Sequence, residues 1–281
     1  MMLITGATGT IGREVVEQLV ARGARPRVLT RDAKRVARND VDVAIGDFGD
    51  AGSLGAALAG VDRVFLLDVP SPVMVAHATT FLEAARTAGV RKVVKLSSIG
   101  VDVEPPVLVA GWHAAVEEAV RASGLAWTML RPAGFASNTL SWAQAIRAGK
   151  PIPLLGGHGG QGIVDPRDIA ALAVLALETD RFESRALTLT GPEVLSARAQ
   201  IATLERVLGR AITVSDMTLA DLRAQLERAG VPADLIPAYL EGSSYLDAGK
   251  AAFVSDELSV ALGRPARSFE TWARDRRAAF E

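Results

Sequence analysis

The run Met2-Leu3-Ile4-Thr5-Gly6-Ala7-Thr8-Gly9-Thr10-Ile11-Gly12 constrains this chain more than any other. A short apolar strand meets a Gly-x-x-Gly-x-x-Gly turn, and an amphipathic segment, Ile11–Ala21, follows at once. Glycine reaches positive φ and leaves room for a backbone or a phosphate where a Cβ would stand. The start of the helix offers unpaired N–H groups and the positive end of its dipole to an anion. Strand, glycine turn and helix in that order predict a dinucleotide site, with Gly6, Thr8, Gly9, Thr10, Ile11 and Gly12 around the pyrophosphate. A glycine-rich turn without a ligand is the plainer reading, and the βα units that follow argue against it.

Short apolar or β-branched runs recur at Leu3–Thr5, Arg27–Thr30, Val41–Ile45, Arg63–Leu67, Lys92–Leu96 and Thr128–Leu130. Helical segments lie between them at Ile11–Ala21, Ala51–Ala59, Met74–Ala88 and Ala110–Ala122. Strands separated by crossovers imply an α/β fold, a doubly wound parallel sheet of the Rossmann type with helices on both faces. Ligands of such sheets sit beyond the carboxyl ends of the strands. After Arg131 the alternation loosens. Phe135–Ala148 reads as a helix, Gly156–Gly162 as a flexible loop that could serve as a lid, and Pro166–Glu178 as a buried helix, with Asp168 placed to cap its apolar stretch Ile169–Leu177. From Ser196 the chain reads as mostly helical. The expected organisation is a dinucleotide-binding domain over residues 1–150. A smaller, mostly helical lobe over 151–281 would bind substrate, with some of its segments returning to the sheet.

With 49% apolar residues, 22% charged residues and a net charge of −1, the composition is that of a globular protein, with no basic face for nucleic acid. There is no cysteine, which removes disulfides, a thiol nucleophile and thiolate-held metals. The three histidines are His77, His113 and His158, none spaced as metal ligands, so no metal site is expected. The longest apolar stretch, Ile169 to Leu177, is too short for a bilayer, and no basic leader precedes the first strand. A cytoplasmic protein without a membrane partner is expected. Nothing specifies an oligomeric state, although the Met74–Ala88 helix could pair subunits.

The end of the second strand bears on the nicotinamide cofactor. An acid there would grip the ribose hydroxyls of NAD, whereas an arginine would accept the extra phosphate of NADP. The strand runs Leu29-Thr30-Arg31-Asp32. Arg31 comes first, and a guanidinium can hold phosphate bidentately. NADP(H) is favoured over NAD(H), with Asp32 as the counter-argument. Arg13 could add a second positive charge or be an ordinary exposed residue. Asp47 and Phe48 close the third strand, where an adenine edge would lie.

These features, together with Val94-Lys95-Leu96-Ser97, Trp127-Thr128-Met129-Leu130-Arg131-Pro132 and Val164-Asp165-Pro166-Arg167-Asp168-Ile169-Ala170, occur in an order and spacing that resembles the NmrA-like branch of atypical short-chain dehydrogenases/reductases. The likeness extends to Val254-Ser255-Asp256 and Ser268-Phe269-Glu270-Thr271-Trp272-Ala273. Within the branch it is greatest to the NAD(P)H:quinone and triphenylmethane-dye reductases. The resemblance implies that the glycine loop and Arg31 hold the pyrophosphate and 2′-phosphate. It also implies that Ser97 reaches the nicotinamide, and that His113-x-x-x-Glu117 replaces the Tyr-x-x-x-Lys of typical members. The nicotinamide is expected near Asp68–Pro72 and Ser97, with Leu67, Asp68 and Val69 among its contacts. Some members of the branch are redox-sensing regulators that turn nothing over.

Only two tyrosines are present, Tyr239 and Tyr245, and neither begins a Tyr-x-x-x-Lys. Reduction of an ordinary ketone needs a proton donor for the developing alkoxide. A quinone, dye or other conjugated acceptor delocalises the added electrons, so protonation can follow hydride transfer. The expected activity is therefore NAD(P)H-dependent reduction of a small conjugated acceptor. An NADP(H)-sensing regulator and a reductase or isomerase of a polycyclic metabolite are the alternatives. His113, Ser97 and Glu117 are the candidate catalytic residues. His113 and Glu117 share a helix face, so a structural pair between them under Trp112 is the plainer reading. Trp112, Phe135, Asn138, Trp142 and Tyr239 are candidate pocket residues for a flat acceptor, although each aromatic is as readily core.

Overall fold

The computed structural model describes residues 1–102 and 108–281. In chain order the first elements are β1 (Met2–Ile4), α1 (Thr10–Ala21), β2 (Arg27–Thr30), β3 (Asp42–Ile45), α2 (Ala51–Leu58), β4 (Arg63–Leu66), α3 (Met74–Thr87), β5 (Lys92–Leu96), α4 (Leu108–Ala122) and β6 (Ala126–Pro132). They are followed by α5 (Ala143–Arg147), β7 (Ile152–Leu155), β8 (Gly160–Gly162), α6 (Pro166–Glu178), β9 (Arg185–Leu189) and β10 (Val194–Ser196). The last are α7 (Ala197–Leu208), β11 (Val214–Met217), α8 (Leu219–Arg228), α9 (Ile236–Asp247), α10 (Glu257–Leu262) and α11 (Phe269–Asp275).

Seven strands form one sheet in the order β3-β2-β1-β4-β5-β6-β9. The pairs from β3 through β6 are parallel. The chain winds outward from β1 in one direction and from β4 in the other, so the topological switch point lies between these two strands. Burial on both faces explains the unbroken apolar runs: every residue of β5 is buried. Helix α1 buries Ile11, Val15, Val16 and Leu19, the spacing of one helical face. A core of Leu3, Leu54, Phe81, Val93 and Met129, among others, ties the sheet to its helices.

The chain divides into two compact units. The first contains Met1–Asp102, Ala110–Pro132 and Pro166–Thr188; the second contains Ala133–Asp165 and Leu189–Glu281. The main run of the first unit ends at Pro132, and the unit takes back α6 and most of β9. The core of the second includes Ile146, Ile201, Leu204, Phe269, Trp272 and Phe280, with the Phe269 and Trp272 rings stacked at 5.7 Å.

Several local expectations change. Residues 135–148 do not form one helix: a 3-10 segment over Ala136–Trp142 precedes the short α5. Helix α6 begins at Pro166, a residue whose fixed φ suits a first helical position, so Asp168 lies inside the first turn instead of capping it. The second unit also contains two small sheets, β7 with β11 and β8 with β10. The glycine-rich stretch at 156–162 therefore ends in a strand. Its glycines serve close packing, since a Cβ at Gly159 would stand 1.7 Å from the Leu246 carbonyl oxygen and one at Gly162 2.6 Å from Thr190 Cβ.

Candidate functional site

The turn between β1 and α1 is built around close approaches of backbone to backbone and of backbone to the Leu67 side chain. Gly6 has φ +60°, and its carbonyl oxygen accepts the N–H of Gly9 at 2.9 Å. A Cβ at Gly12 would stand 2.2 Å from that oxygen and 2.9 Å from Ala7 Cα, and one at Gly6 2.7 Å from Leu67 Cδ2. Thr5 locks the turn to the end of β4: its hydroxyl accepts the Leu67 N–H at 2.7 Å and donates to the Leu67 carbonyl at 2.8 Å. Helix α1 starts at Thr10 with Gly9 in the cap position, and no side chain there bonds to the first-turn amides. Glycine at the cap leaves those donors for an anion, so the cradle fits a pyrophosphate.

The ends of β2, β3 and β4 lie beside this turn. Arg31 is exposed, and its Nε is 3.9 Å from Asp47 Oδ2. Asp32 is engaged locally, since its Oδ1 accepts the Lys34 N–H at 2.9 Å and so caps a 3-10 turn. Asp47 Oδ1 accepts the Gly49 N–H at 2.8 Å. Phe48 stacks on His77 with centroids 6.1 Å apart, and His77 Nδ1 lies 3.2 Å from Asp68 Oδ2. Asp68 Oδ1 accepts the Val69 N–H at 2.8 Å, and the Val69 side chain is exposed. A cavity of about 220 Å³ opens next to the glycine turn, lined by Thr8, Arg13, Glu17, Val28, Arg35 and Arg38 among others.

A buried polar cluster occupies the space between the ends of β5 and β6 and helix α4. Glu117 is 1% exposed. Its Oε1 accepts the Ser97 hydroxyl at 2.6 Å and Arg131 Nε at 2.9 Å. Its Oε2 accepts Arg131 Nη2 and Arg121 Nη2, each at 2.7 Å. Arg131 also donates to Asp102. Burial works to raise the Glu117 carboxyl, but the hydrogen bonds from Arg131 and Ser97 and the two guanidinium charges outweigh it, and the group lies below its usual range. Arg131 is correspondingly raised by its bond to Glu117.

His113, 7% exposed, does not pair with Glu117. Its Nδ1 lies 2.9 Å from Lys95 Nζ, and Lys95 is only 1% exposed. Burial pulls His113 down to about 3, and the neighbouring lysine charge pulls the same way against Glu117. Burial likewise brings Lys95 down to about 7, with Glu117 and Asp68 favouring the charged form and Arg131 opposing it.

The glycine loop, Arg31, Asp47, Phe48, Leu67, Asp68 and Val69 therefore gather at the ends of β1 to β4, and Ser97, His113 and Glu117 form a connected interior cluster. The proposed pocket residues are not gathered in one unit. Trp112 packs against the core of the first unit, while Phe135, Asn138, Trp142 and Tyr239 belong to the second. Trp142 packs against that unit's core, and Asn138 and Tyr239 are exposed. Sequence reasoning gave no role to Lys95, Arg121 or Asp102. The one available signal was Lys95 itself, a charged residue within a continuous buried strand. Among the described residues no group of acidic and histidine side chains is arranged to hold a metal, and no helix is long and apolar enough to cross a membrane.

A family profile described as NAD(P)H-binding matches residues 6–180. Over its full length the chain is 40% identical to a (4-alkanoyl-5-oxo-2,5-dihydrofuran-3-yl)methyl phosphate reductase of Streptomyces griseus, covering 99% of that protein. It is 36% identical to an NAD(P)H azoreductase of Xenophilus azovorans, covering 100% of this chain and 99% of the other. Among solved structures, an NADPH-dependent quinone oxidoreductase from Escherichia coli in complex with NADPH superposes with a TM-score of 0.85, at 24% identity over 98% of this chain and 99% of the other. That last likeness establishes the fold.

Proposed function

The chain belongs to the NAD(P)H-binding family, and on that premise we propose that it is an NAD(P)H-dependent reductase delivering hydride to a quinone or a similarly conjugated small molecule. A reduced nicotinamide supplies the hydride when bound. The chain's own groups bind, orient and supply the proton. Gly6, Thr8, Gly9, Thr10, Ile11 and Gly12 present backbone amides to the pyrophosphate. Asp47 and Phe48 border the adenine, and Leu67, Asp68, Val69 and Ser97 flank the nicotinamide end. The preference is for NADP(H): Arg31 stands at the end of β2, Arg13 and Arg35 line the cavity beside the loop, and the Asp32 carboxylate is committed to the Lys34 amide.

The observation that carries the acceptor class is the state of His113. Where a ketone reductase needs an acid for the developing alkoxide, helix α4 offers a buried imidazole whose Nδ1 faces the Lys95 Nζ at 2.9 Å, and burial beside that lysine keeps the ring neutral. Such a site suits an acceptor that stabilises its own negative charge and is protonated late. The phosphate-bearing unsaturated lactone, azo and quinone acceptors named for the relatives share this conjugation. Phe135, Asn138, Trp142 and Tyr239, all of the second unit, remain the residues we assign to acceptor binding, whereas Trp112 packs against the core of the first. The protein is read as cytoplasmic. The test follows NADPH and NADH absorbance with purified protein against quinones, azo dyes and conjugated lactones. Oxidation of NADPH by at least one class is expected, and cofactor binding without turnover by any of them overturns the reading.

A further inference from the structure

Strand β5 carries two buried lysines of different character. Lys92 Nζ donates to the Thr179 carbonyl at 2.6 Å and has the Asp180 and Glu183 carboxylates at 3.6 Å each. It is an interior cation with counter-charges. Lys95 lies three residues on, across the strand, and among the described residues its Nζ makes no ion pair. It donates to the Leu96 carbonyl at 3.0 Å and faces His113 Nδ1 at 2.9 Å. The carboxylate on the same side, Glu117, is already saturated by Ser97, Arg121 and Arg131. Burying an ammonium without a counter-ion is costly, and stability alone favours an apolar residue there. The partner provided instead is a ring nitrogen that can accept a proton.

We propose that Lys95 is a positioning residue and proton store for the reductive step, acting through the His113 imidazole. The proposal rests on the reductase reading above. With the Lys95 ammonium donating to Nδ1, the neutral ring carries its own proton on Nε2. Hydride addition leaves the acceptor with one new C–H or N–H bond and a negative charge on a heteroatom. The His113 Nε2–H bond then breaks and its proton joins that heteroatom, while a Lys95 N–H bond breaks and its proton forms the Nδ1–H bond. Lys95 ends as a neutral amine; between turnovers a solvent proton forms a new Nε2–H bond, the Nδ1–H bond breaks and its proton returns to the Lys95 amine, which restores both groups. The two electrons travel with the hydride alone, so the proton relay is balanced without any further redox partner. The charged groups that act on the Lys95 proton are Glu117 on α4, Asp68 beyond β4 and Arg131 on β6, and the neutral His113 ring faces it directly. Burial brings Lys95 to about 7, so both its forms are available near neutral pH.

Two measurements on the full chain decide this. The first is the pH profile of kcat with NADPH and a water-soluble naphthoquinone, from about pH 6 to about pH 9. Wild type should lose rate on the alkaline side of neutrality. Lys95→Met should lower kcat by ~10-fold or more, leave KM for NADPH within about twofold, and abolish the alkaline limb. Lys95→Arg, which keeps the charge but holds its proton, should also lack the limb. Lys95→Gln replaces the Met variant if circular dichroism shows that the latter is unfolded. An alkaline limb unchanged in these variants overturns the proposal. The second is the imidazole ¹⁵N spectrum of His113 without cofactor. It should show an unprotonated Nδ1 below neutral pH and a step as Lys95 titrates, lost in Lys95→Met. Protonation on Nδ1 below neutral pH, or no step, overturns the couple. If no acceptor oxidises NADPH, the reductase reading falls and the relay falls with it, while the spectrum separately decides whether Lys95 and His113 share a titration.

Discussion

A Cβ at position 12 would stand 2.2 Å from the carbonyl oxygen of Gly6. No side-chain motion relieves such a contact, because both partners are backbone. The start of α1 thus rests on the glycine turn, and the amides that would meet an anion are positioned by that contact.

Gly12→Ala should therefore displace the start of α1. The strain expected of an overpacked site is about 1–3 kcal/mol, seen as a lower Tm. NADPH affinity should fall by ~10-fold or more, because amide direction is lost along with packing. Fluorescence titration with NADPH and thermal unfolding on the same sample check both. Unchanged affinity would remove the loop from the cofactor site.

Arg31→Ala should raise KM for NADPH by ~10-fold and leave KM for NADH within about twofold, because only the former has a 2′-phosphate for a guanidinium to hold. Equal effects on the two cofactors would assign Arg31 a structural role, and a preference for NADH in wild type would end the assignment.

Glu117→Gln leaves Arg131 and Arg121 facing a neutral amide in the interior. Breaking a buried charge pair costs about 3–5 kcal/mol, so urea unfolding at neutral pH should show a loss of that order. The sign with pH follows from a carboxyl held below its ordinary value of 4.5. Its contribution is present above that value and is lost as pH falls through the lower folded value. Wild type should lose this stability in acid, and the difference between wild type and Glu117→Gln should shrink there.

Lys95 has the opposite linkage. Its folded value, about 7, is below its ordinary 10.5. Below about 7 both states carry the proton and the folded protein bears the full cost of the buried charge. Between about 7 and 10.5 the unfolded chain holds the proton more tightly, so stability rises with pH. Lys95→Met should accordingly be more stable than wild type below neutrality, by a few kcal/mol at the order of magnitude, with the gap closing towards alkaline pH. Urea midpoints at three pH values test this. A variant less stable than wild type in acid would show that the charge is better accommodated than its burial suggests.

Local pattern was enough for the sheet and the cofactor cradle. The six runs from Leu3 to Leu130 are short, apolar and separated by amphipathic segments, so strand and crossover were legible without tertiary information. Gly6, Gly9 and Gly12 announced a turn followed by a helix for the same reason. Residues 156–162 misled because glycine has two uses, freedom and closeness, and only the fold distinguishes them. Here Gly159 and Gly162 sit where another backbone or side chain leaves no room for a Cβ. Strands β7 and β11 escaped notice because their residues become paired from 62 positions apart, Val214 against Ile152, and neither has a period of its own.

The sequence by itself determined a doubly wound sheet opening on an anion-binding turn, because hydrophobic period and glycine spacing are local properties of the chain. Tertiary structure alone decided the partners inside the sheet. An i, i+4 spacing made Glu117 the natural mate of His113. The fold instead gave Glu117 to Ser97, Arg121 and Arg131, and gave His113 to Lys95 from a neighbouring strand. Which buried charge meets which depends on the directions of side chains brought together from distant segments, and on how much water each has lost. Neither quantity is written in the spacing of residues along one helix.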